Sequence, residues 1–260
     1  MIGISLNSNG LGGDNKKEWI RNLIDECCPM FFGVQETKLE RIDHCLAHSL
    51  WPRNFMEFAF CGSVGASGGI LTLWDSHVFV MEQCFKERNF VGVIGSCIGV
   101  SSKIGLLNVY APQSSTSKEA VWRSIDSLLN SSNIIWVVFG NFNVVRSPDE
   151  RNGCLFNVGE VCAFNDFISQ NGLFDFPVCE RRFTCFDKDG RKASKLDRFL
   201  VSASFFDIWK DANVNVLYRS YSDHCPILLK VKGGNYGPKP FKIFNKWFNE
   251  IGFDELVSST

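Results

Sequence analysis

Ile134-Ile-Trp-Val-Val-Phe-Gly-Asn-Phe-Asn143 opens with six apolar residues in succession, then reaches a glycine and two amides. The run is short and rich in β-branched and aromatic types, which reads as a strand buried on both faces. Residues two apart on a strand share a face, so Asn141 and Asn143 are placed to enter one pocket past the strand's end. Asn and Gly are also ordinary turn residues, and the stretch takes its meaning from its surroundings.

Outward from it, strands and helices mix without strict alternation. Ile2–Leu6 reads as a first strand leading into Asn7. Asp14 or Asn15 is placed to cap a helix whose apolar face is Trp19, Ile20, Leu23, Ile24 and Cys27. Met30–Val34 is a second buried strand, closing on Gln35-Glu36-Thr37, and a short helix follows around Ile42–Leu50. From Phe55 to Val109, short apolar runs separated by Gly, Ser, Asp and Lys predict consecutive antiparallel strands, the last closing on Tyr110. Val121–Leu129 and Phe164–Ile168 mark further helices; Phe183–Phe186 and Leu196–Val201 read as strands around the turn Asp187–Gly190. Phe205–Trp209 is short and helical, Val214–Leu217 is a strand, and Ile227–Val231 is the last strand, preceded by Ser222-Asp223-His224. Residues 233–240 are linker-like, and Phe241, Phe244, Trp247 and Phe248 recur at helical spacing. Two sheets packed face to face with helices outside would bury the 24 Phe.

Composition narrows the function classes. A net charge of −1 leaves no global basic field, so a nucleic-acid partner must be held by a local patch. Eleven Cys are scattered without a Cys-x-x-Cys pair, so no zinc site is expected. The N-terminus has no signal-peptide pattern, and no run approaches the ~18 apolar residues of a membrane span. The expectation is a monomer in a reducing compartment, nuclear or cytoplasmic and not secreted, with no membrane partner.

Polar residues recur where apolar strands finish: Asn7, Glu36, Tyr110, Asn141, Asn143, Asp197, Asp223 and His224. Singly, each has an ordinary explanation as a turn, surface charge or ion pair. Collectively they form a coherent set, read as lying at the C-terminal ends of strands and lining one cleft. Glu36 is a hard oxygen donor suited to Mg²⁺, and Asn7 and Asp223 can add oxygens directly or through water. Asp197 can hold the His224 imidazole in one tautomer, while Tyr110 and Asn143 offer donors to a phosphate. Such a set fits metal-assisted phosphodiester hydrolysis.

The ordered motifs Asn7, Gln35-Glu36-Thr37, Asn108-Val-Tyr110-Ala-Pro, Gly140-Asn-Phe-Asn143, Ser194-Lys-Leu-Asp197-Arg and Ser222-Asp-His224-Cys-Pro-Ile resemble the endonuclease/exonuclease/phosphatase superfamily. The likeness is greatest to the apurinic-like endonuclease domain of plant LINE-type non-LTR retrotransposons. It implies an α/β, DNase I-like four-layer sandwich of two mixed β-sheets flanked by helices. It also implies a Mg²⁺ (or Mn²⁺) nuclease that nicks DNA. The resemblance spans residues 1–232, leaving 233–260 as a linker and helix toward a reverse transcriptase domain in the parent element. Carried over singly, Asn7, Glu36 and Asp223 match the metal side; Tyr110, Asn143 and His224 match phosphate contacts. Asp197 matches the carboxylate that orients the histidine, and Thr184 a hydroxyl near the DNA backbone. Arg181, Arg182 and Lys195 are the basic residues expected at the DNA rim, with Lys103, Arg146, Arg151, Arg191 and Lys192 also near the motif segments.

One position departs. The resemblance puts an Asp where this chain has Asn141, and that Asp orients or deprotonates the attacking water. An amide is neutral and presents an NH₂ donor instead; loss of a general base costs about 10²–10⁴-fold. Leu6, Asn9 and Cys185 are lesser departures. The alternatives are a catalytically dead DNA- or metal-binding remnant, or a cellular phosphoesterase on the same scaffold.

Overall fold

A computed structural model describes residues 1–130, 133–179 and 181–231. The first half of the chain runs β1 (Ile2–Asn7), α1 (Asp14–Cys27), β2 (Phe31–Gln35), α2 (His44–Leu50), β3 (Met56–Val64), β4 (Ser67–Asp75), β5 (Phe79–Glu87), β6 (Phe90–Cys97), β7 (Lys103–Tyr110) and α3 (Ser115–Leu129). The second half continues with β8 (Ile134–Asn141), β9 (Arg151–Asn152), α4 (Val158–Gln170), β10 (Leu173–Asp175), β11 (Val178–Cys179) and β12 (Cys185–Phe186). It ends with β13 (Ala193–Ser194), β14 (Asp197–Ser202), α5 (Phe205–Ile208), β15 (Ala212–Val216) and β16 (Ile227–Val231). The expected linker and terminal helix at 233–260 lie outside the described residues. Among the described residues, no helix is long and apolar enough to cross a membrane.

A seven-stranded sheet, β11-β15-β16-β1-β2-β4-β3, packs on a six-stranded sheet, β10-β14-β8-β7-β6-β5. A small sheet, β12-β13-β9, stands apart from both. The expected antiparallel series therefore divides: β3 and β4 form a hairpin in the first sheet, and β5, β6 and β7 form a meander in the second. The predicted pairing around the Asp187–Gly190 turn also differs. Cys185–Phe186 pairs with Ala193–Ser194, and β14 instead pairs with β8. The helix α1 is capped by Gly13 rather than by Asp14 or Asn15, and it closes through Cys28 in the left-handed region.

Alternation sorts the side chains into three cores. Ile135, Val137 and Phe139 of β8 join Phe31, Phe199 and Trp74 between the sheets. Trp136 and Val138 point the other way, onto Trp122 of α3 and Phe164 and Phe167 of α4. The outer face of the first sheet, with Ile4, Leu6, Phe32 and Val34, is covered by Trp19, Ile20 and Leu23 of α1 and by Ala47 and Leu50 of α2. The order is helix, sheet, sheet, helix, and it explains why the β8 run has no polar gap: a different layer dries each face.

Toward one end of the inter-sheet core, the apolar rows stop at a buried polar cluster. Gln35 Nε2 donates to Asn108 Oδ1 at 2.6 Å and to Ser5 Oγ at 3.1 Å. Asn108 Nδ2 donates to Leu71 O at 3.0 Å and Thr72 Oγ1 at 3.1 Å. Ser5, Gln35, Thr72 and Asn108 are all fully buried. Asn108 lies on the second sheet and its partners on the first, so this network ties the sheets together in one register. Gly33 leaves room for it, since a Cβ there would strike the Phe139 ring and sit 2.9 Å from Asn108 Nδ2.

Asn108→Leu keeps the volume and strands polar groups in a dry interior, so stability should fall by roughly 1–3 kcal/mol per stranded group. The urea midpoint should drop with an unchanged m value. The Gln35→Leu, Asn108→Leu double variant should cost less than the sum of the singles, because both partners leave together. Additive losses would mean the two amides act independently.

Candidate functional site

Beyond the amide cluster, the same inner strand faces become polar and open to solvent. β1 pairs parallel with β2, and β7 with β8. Their C-terminal ends supply Asn7, Glu36, Tyr110 and Asn141. Asp197, Asp223 and His224 belong to strands running the other way. Asp197 starts β14 directly opposite Asn141, and the 222–224 loop precedes β16, which is antiparallel to β1. The cleft thus takes the ends of parallel strands and the beginnings of antiparallel ones, a correction to the expectation that only C-terminal ends contribute.

The acidic side is built from β1 and β2. Asn7 Nδ2 donates to Glu36 Oε2 at 3.2 Å, and Asn7 Oδ1 accepts from the Asn9 backbone N–H at 2.9 Å. Asn9 Nδ2 donates to Asp223 Oδ1 at 3.1 Å, and Ser222 Oγ lies 3.3 Å from the same oxygen. Ser222 Oγ donates to Asn7 O at 2.7 Å, and it accepts from the His224 N–H at 3.1 Å. Burial, then the Glu36 and Asp223 carboxylates, hold the Tyr110 hydroxyl far above its usual pKa, so it is a neutral donor. Lys38 Nζ lies 3.1 Å from Glu36 Oε1 and 2.6 Å from Asn9 Oδ1. Burial and the neighbouring Lys38 lower the Lys16 pKa against the pull of Asp223 and Glu36. Two carboxylates and an amide oxygen are hard donors, the chemistry Mg²⁺ or Mn²⁺ takes. Any such ion shares the pocket with the Lys38 ammonium.

On the other side, His224 Nδ1 meets Asp197 Oδ2 at 2.8 Å, with both side chains buried. Asp197 is itself fixed by Thr184, whose Oγ1 accepts from the Leu196 N–H at 3.0 Å and the Asp197 N–H at 3.1 Å. Thr184 is fully buried. Its hydroxyl is spent on backbone rather than presented to a DNA strand, so it positions Asp197.

Asn141 Oδ1 accepts from the Asn143 backbone N–H at 2.9 Å. A backbone donor faces an oxygen, which fixes the amide orientation and leaves NH₂ as its other polar end. Asn143 Nδ2 donates to Ala111 O at 2.6 Å. Gly140, just before, has φ +136, and a Cβ there would collide with Val109 O on β7. Among the described residues, the non-glycine positions with φ > 0 are Asn9, Cys28, Glu36, Lys38, Asn133 and Asn143, and four of these six are in this cleft. Such strain costs about 1–3 kcal/mol per residue and collects at functional sites.

The basic residues divide. Lys195 is buried, 3.5 Å from Asp175 and 3.6 Å from Glu150, beside the fully buried Arg198 that also pairs with both. It is part of an internal ion network and not of an exposed rim. Arg146 pairs with Asp175 at 3.3 Å. Lys103 starts β7 and so lies about 23 Å from Tyr110 at ~3.3 Å per residue. Arg181 stacks 3.9 Å over Tyr218, and Arg182 pairs with Asp149 at 3.0 Å. Arg151 and Lys192 line an open groove of about 880 Å³ whose wall also includes Cys185 and Asp223. Sequence reasoning missed Lys16, Lys38, Asn9 and Ser222. It also missed Arg219, which sits 5.0 Å over Phe186. Of these, Lys38 follows Gln35-Glu36-Thr37 directly, Ser222 opens the motif that contains Asp223 and His224, and Asn9 lies two residues after Asn7, whereas Lys16 and Arg219 carried no signal.

Burial lowers the His224 pKa, but the Asp197 carboxylate outweighs it, and the net value is raised well above 6.5. The charged ring therefore stabilises the fold fully below its ordinary value, and that contribution is lost as pH rises through the raised one. Asp197→Asn should bring the His224 titration, read from its imidazole C–H shifts by NMR, down to or below the ordinary value. An unchanged titration would show that Asp197 does not control the ring.

No family model matches the sequence. Solved structures do resemble the fold. The 3′-5′ exonuclease NExo from Neisseria meningitidis superposes with a TM-score of 0.72 at 17% identity, covering 90% of this chain and 100% of that one. The 3′ phosphatase NExo from Neisseria bound to a product DNA hairpin gives 0.71 at 16%, with 90% and 100% covered. The AP endonuclease LMAP from Leishmania major gives 0.68 at 20%, with 88% and 86% covered. At these identities the likeness establishes the architecture: two mixed sheets flanked by helices, the DNase I-like fold.

Proposed function

We infer that this chain is a divalent-metal-dependent phosphodiesterase acting on DNA, with its chemistry weakened by Asn141. The observation that carries the reading is the meeting, in one cleft, of the Asn7–Glu36 pair with the His224–Asp197 pair held at 2.8 Å. Glu36, Asn7 and Asp223 would hold Mg²⁺ or Mn²⁺. When bound, such an ion supplies positive charge to a phosphoryl oxygen. The chain's own groups do the rest. His224, with Nδ1 held by Asp197, is left with Nε2–H to donate to a phosphoryl oxygen, and Tyr110 offers a neutral hydroxyl. Asn143 braces the turn through Ala111 O. Asn141 can hydrogen-bond a water but cannot take its proton.

DNA is favoured over a small phosphoester because the site opens beside a wide groove with Arg151 and Lys192 on its wall. Arg181 on the exposed Tyr218 ring adds a stacking surface suited to unpaired bases. The DNA hairpin bound to the Neisseria protein is in keeping with this. The motif resemblance extends the proposal to a retrotransposon-type nicking domain over residues 1–232, with 233–260 leading toward a reverse transcriptase. DNA as substrate puts it in the nucleus or cytoplasm. Asn141 favours a second reading, a domain that still binds metal or DNA without cutting.

Supercoiled plasmid with Mg²⁺ or Mn²⁺ distinguishes them. Asn141→Asp should nick about 10²–10⁴-fold faster than the parent, and adding Glu36→Ala should abolish the gain. If the revertant nicks no faster than its Glu36→Ala partner, the hydrolytic reading fails.

A further inference from the structure

The cleft contains a second set of donors of different chemistry. Cys185 forms an isolated antiparallel bridge with His224. The bridge is pinned on both sides: the Cys225 N–H donates to Thr184 O at 2.7 Å, and the Phe186 N–H to Asp223 O at 3.0 Å. With these bonds on the flanking residues, Cys185 and His224 face each other as a non-hydrogen-bonded pair, the arrangement that brings opposed side chains closest. The Cys185 sulfur, a His224 ring nitrogen and an Asp223 carboxylate oxygen all lie within 4.8 Å of one another. Around a tetrahedral zinc such atoms stand about 3–4 Å apart, so small side-chain movements close the set.

We propose that Cys185, His224 and Asp223 form a binding site for a thiophilic divalent cation, zinc by preference, with Asp197 as its positioning residue. Thiolate, imidazole and carboxylate together suit zinc, and thiolate excludes Mg²⁺. His224 presents Nε2 because Nδ1 is held by Asp197 at 2.8 Å; a ligating histidine whose other nitrogen meets a carboxylate is the usual second layer of a zinc site. Three protein ligands would leave a fourth position for water or an exogenous ligand, beside the groove that Cys185 and Asp223 line. Binding releases the Cys185 thiol proton and the His224 Nε2 proton to solvent as the metal–sulfur and metal–nitrogen bonds form, with no change of oxidation state. The inference rests on these distances and not on the hydrolytic reading. If both hold, zinc and Mg²⁺ compete for Asp223, and zinc takes His224 from the phosphate.

The full chain is titrated with Co²⁺ and followed by its thiolate charge-transfer absorption, then back-titrated with Zn²⁺. One equivalent should give the band, and zinc should remove it. Loss of an outer partner costs metal affinity about 10–100-fold, so Asp197→Asn should weaken binding by that factor while keeping the band. Cys185→Ser should abolish the band and weaken zinc at least as much. Cys154→Ser, which removes an exposed thiol of the same groove, should change nothing. As a check that needs no variant, zinc should protect Cys185 of the parent protein from alkylation, read by peptide mass, and should leave Cys154 reactive. No band, a band surviving in Cys185→Ser, or Cys185 alkylated equally with and without zinc overturns the proposal.

Discussion

Everything at the cleft depends on the buried amide network of Gln35 and Asn108. Two sheets held only by apolar contacts between Phe31, Phe139, Phe199 and their neighbours could slide over one another at little cost, since dispersion and area burial are not directional. A hydrogen bond of 2.6 Å between amides on opposite sheets is directional, and a slip would strand several polar groups in a dry core. Gln35 immediately precedes Glu36, and Asn108 lies two residues before Tyr110. The network that sets the relation of the sheets therefore also sets the relation of the carboxylate to the phenol. Among the described residues, Gln35 Oε1 has no hydrogen-bond partner, so the register is held at some cost in stability.

From that base the site is assembled with strain and uneven charge. Glu36 and Lys38 adopt left-handed backbone with side chains that do not favour it, and the Thr37 N–H between them donates to Gly69 O at 3.0 Å on β4. This turn aims the Glu36 carboxylate at Asn7 and brings the Lys38 ammonium back onto it. The cleft holds two carboxylates and two lysine side chains on one side, and an imidazole backed by Asp197 on the other. Asn141 sits between them with its orientation dictated by a backbone N–H. A carboxylate there would give one oxygen to that N–H and keep the other as a base; the amide gives its only oxygen and has nothing left to accept a proton.

Much of the fold was legible in the chain. The unbroken apolar run of β8, the helical spacing of Trp19, Ile20, Leu23 and Ile24, and the polar turn at Asp187–Gly190 are local patterns, and each appears where the periodicity places it. The polar set was legible as a set because the motifs keep their order. Three things were not. The direction of β14 and β16 depends on which strand each one pairs with. The burial of Thr184 and Lys195 depends on segments folded over them. The opposition of Cys185 and His224 joins residues that no spacing rule connects.

The amino-acid sequence by itself determined which segments are strands and helices, which of their faces are dry, and which residue types are available for chemistry, because alternation and helical period are written in neighbouring residues. Tertiary structure alone decided the sheet register, the spending of the Thr184 hydroxyl on backbone, the ion network that removes Lys195 from the surface, and the pairing of a thiol with an imidazole. Those outcomes are hydrogen bonds and close contacts between residues distant in the chain, whose partners exist only once the two sheets have packed.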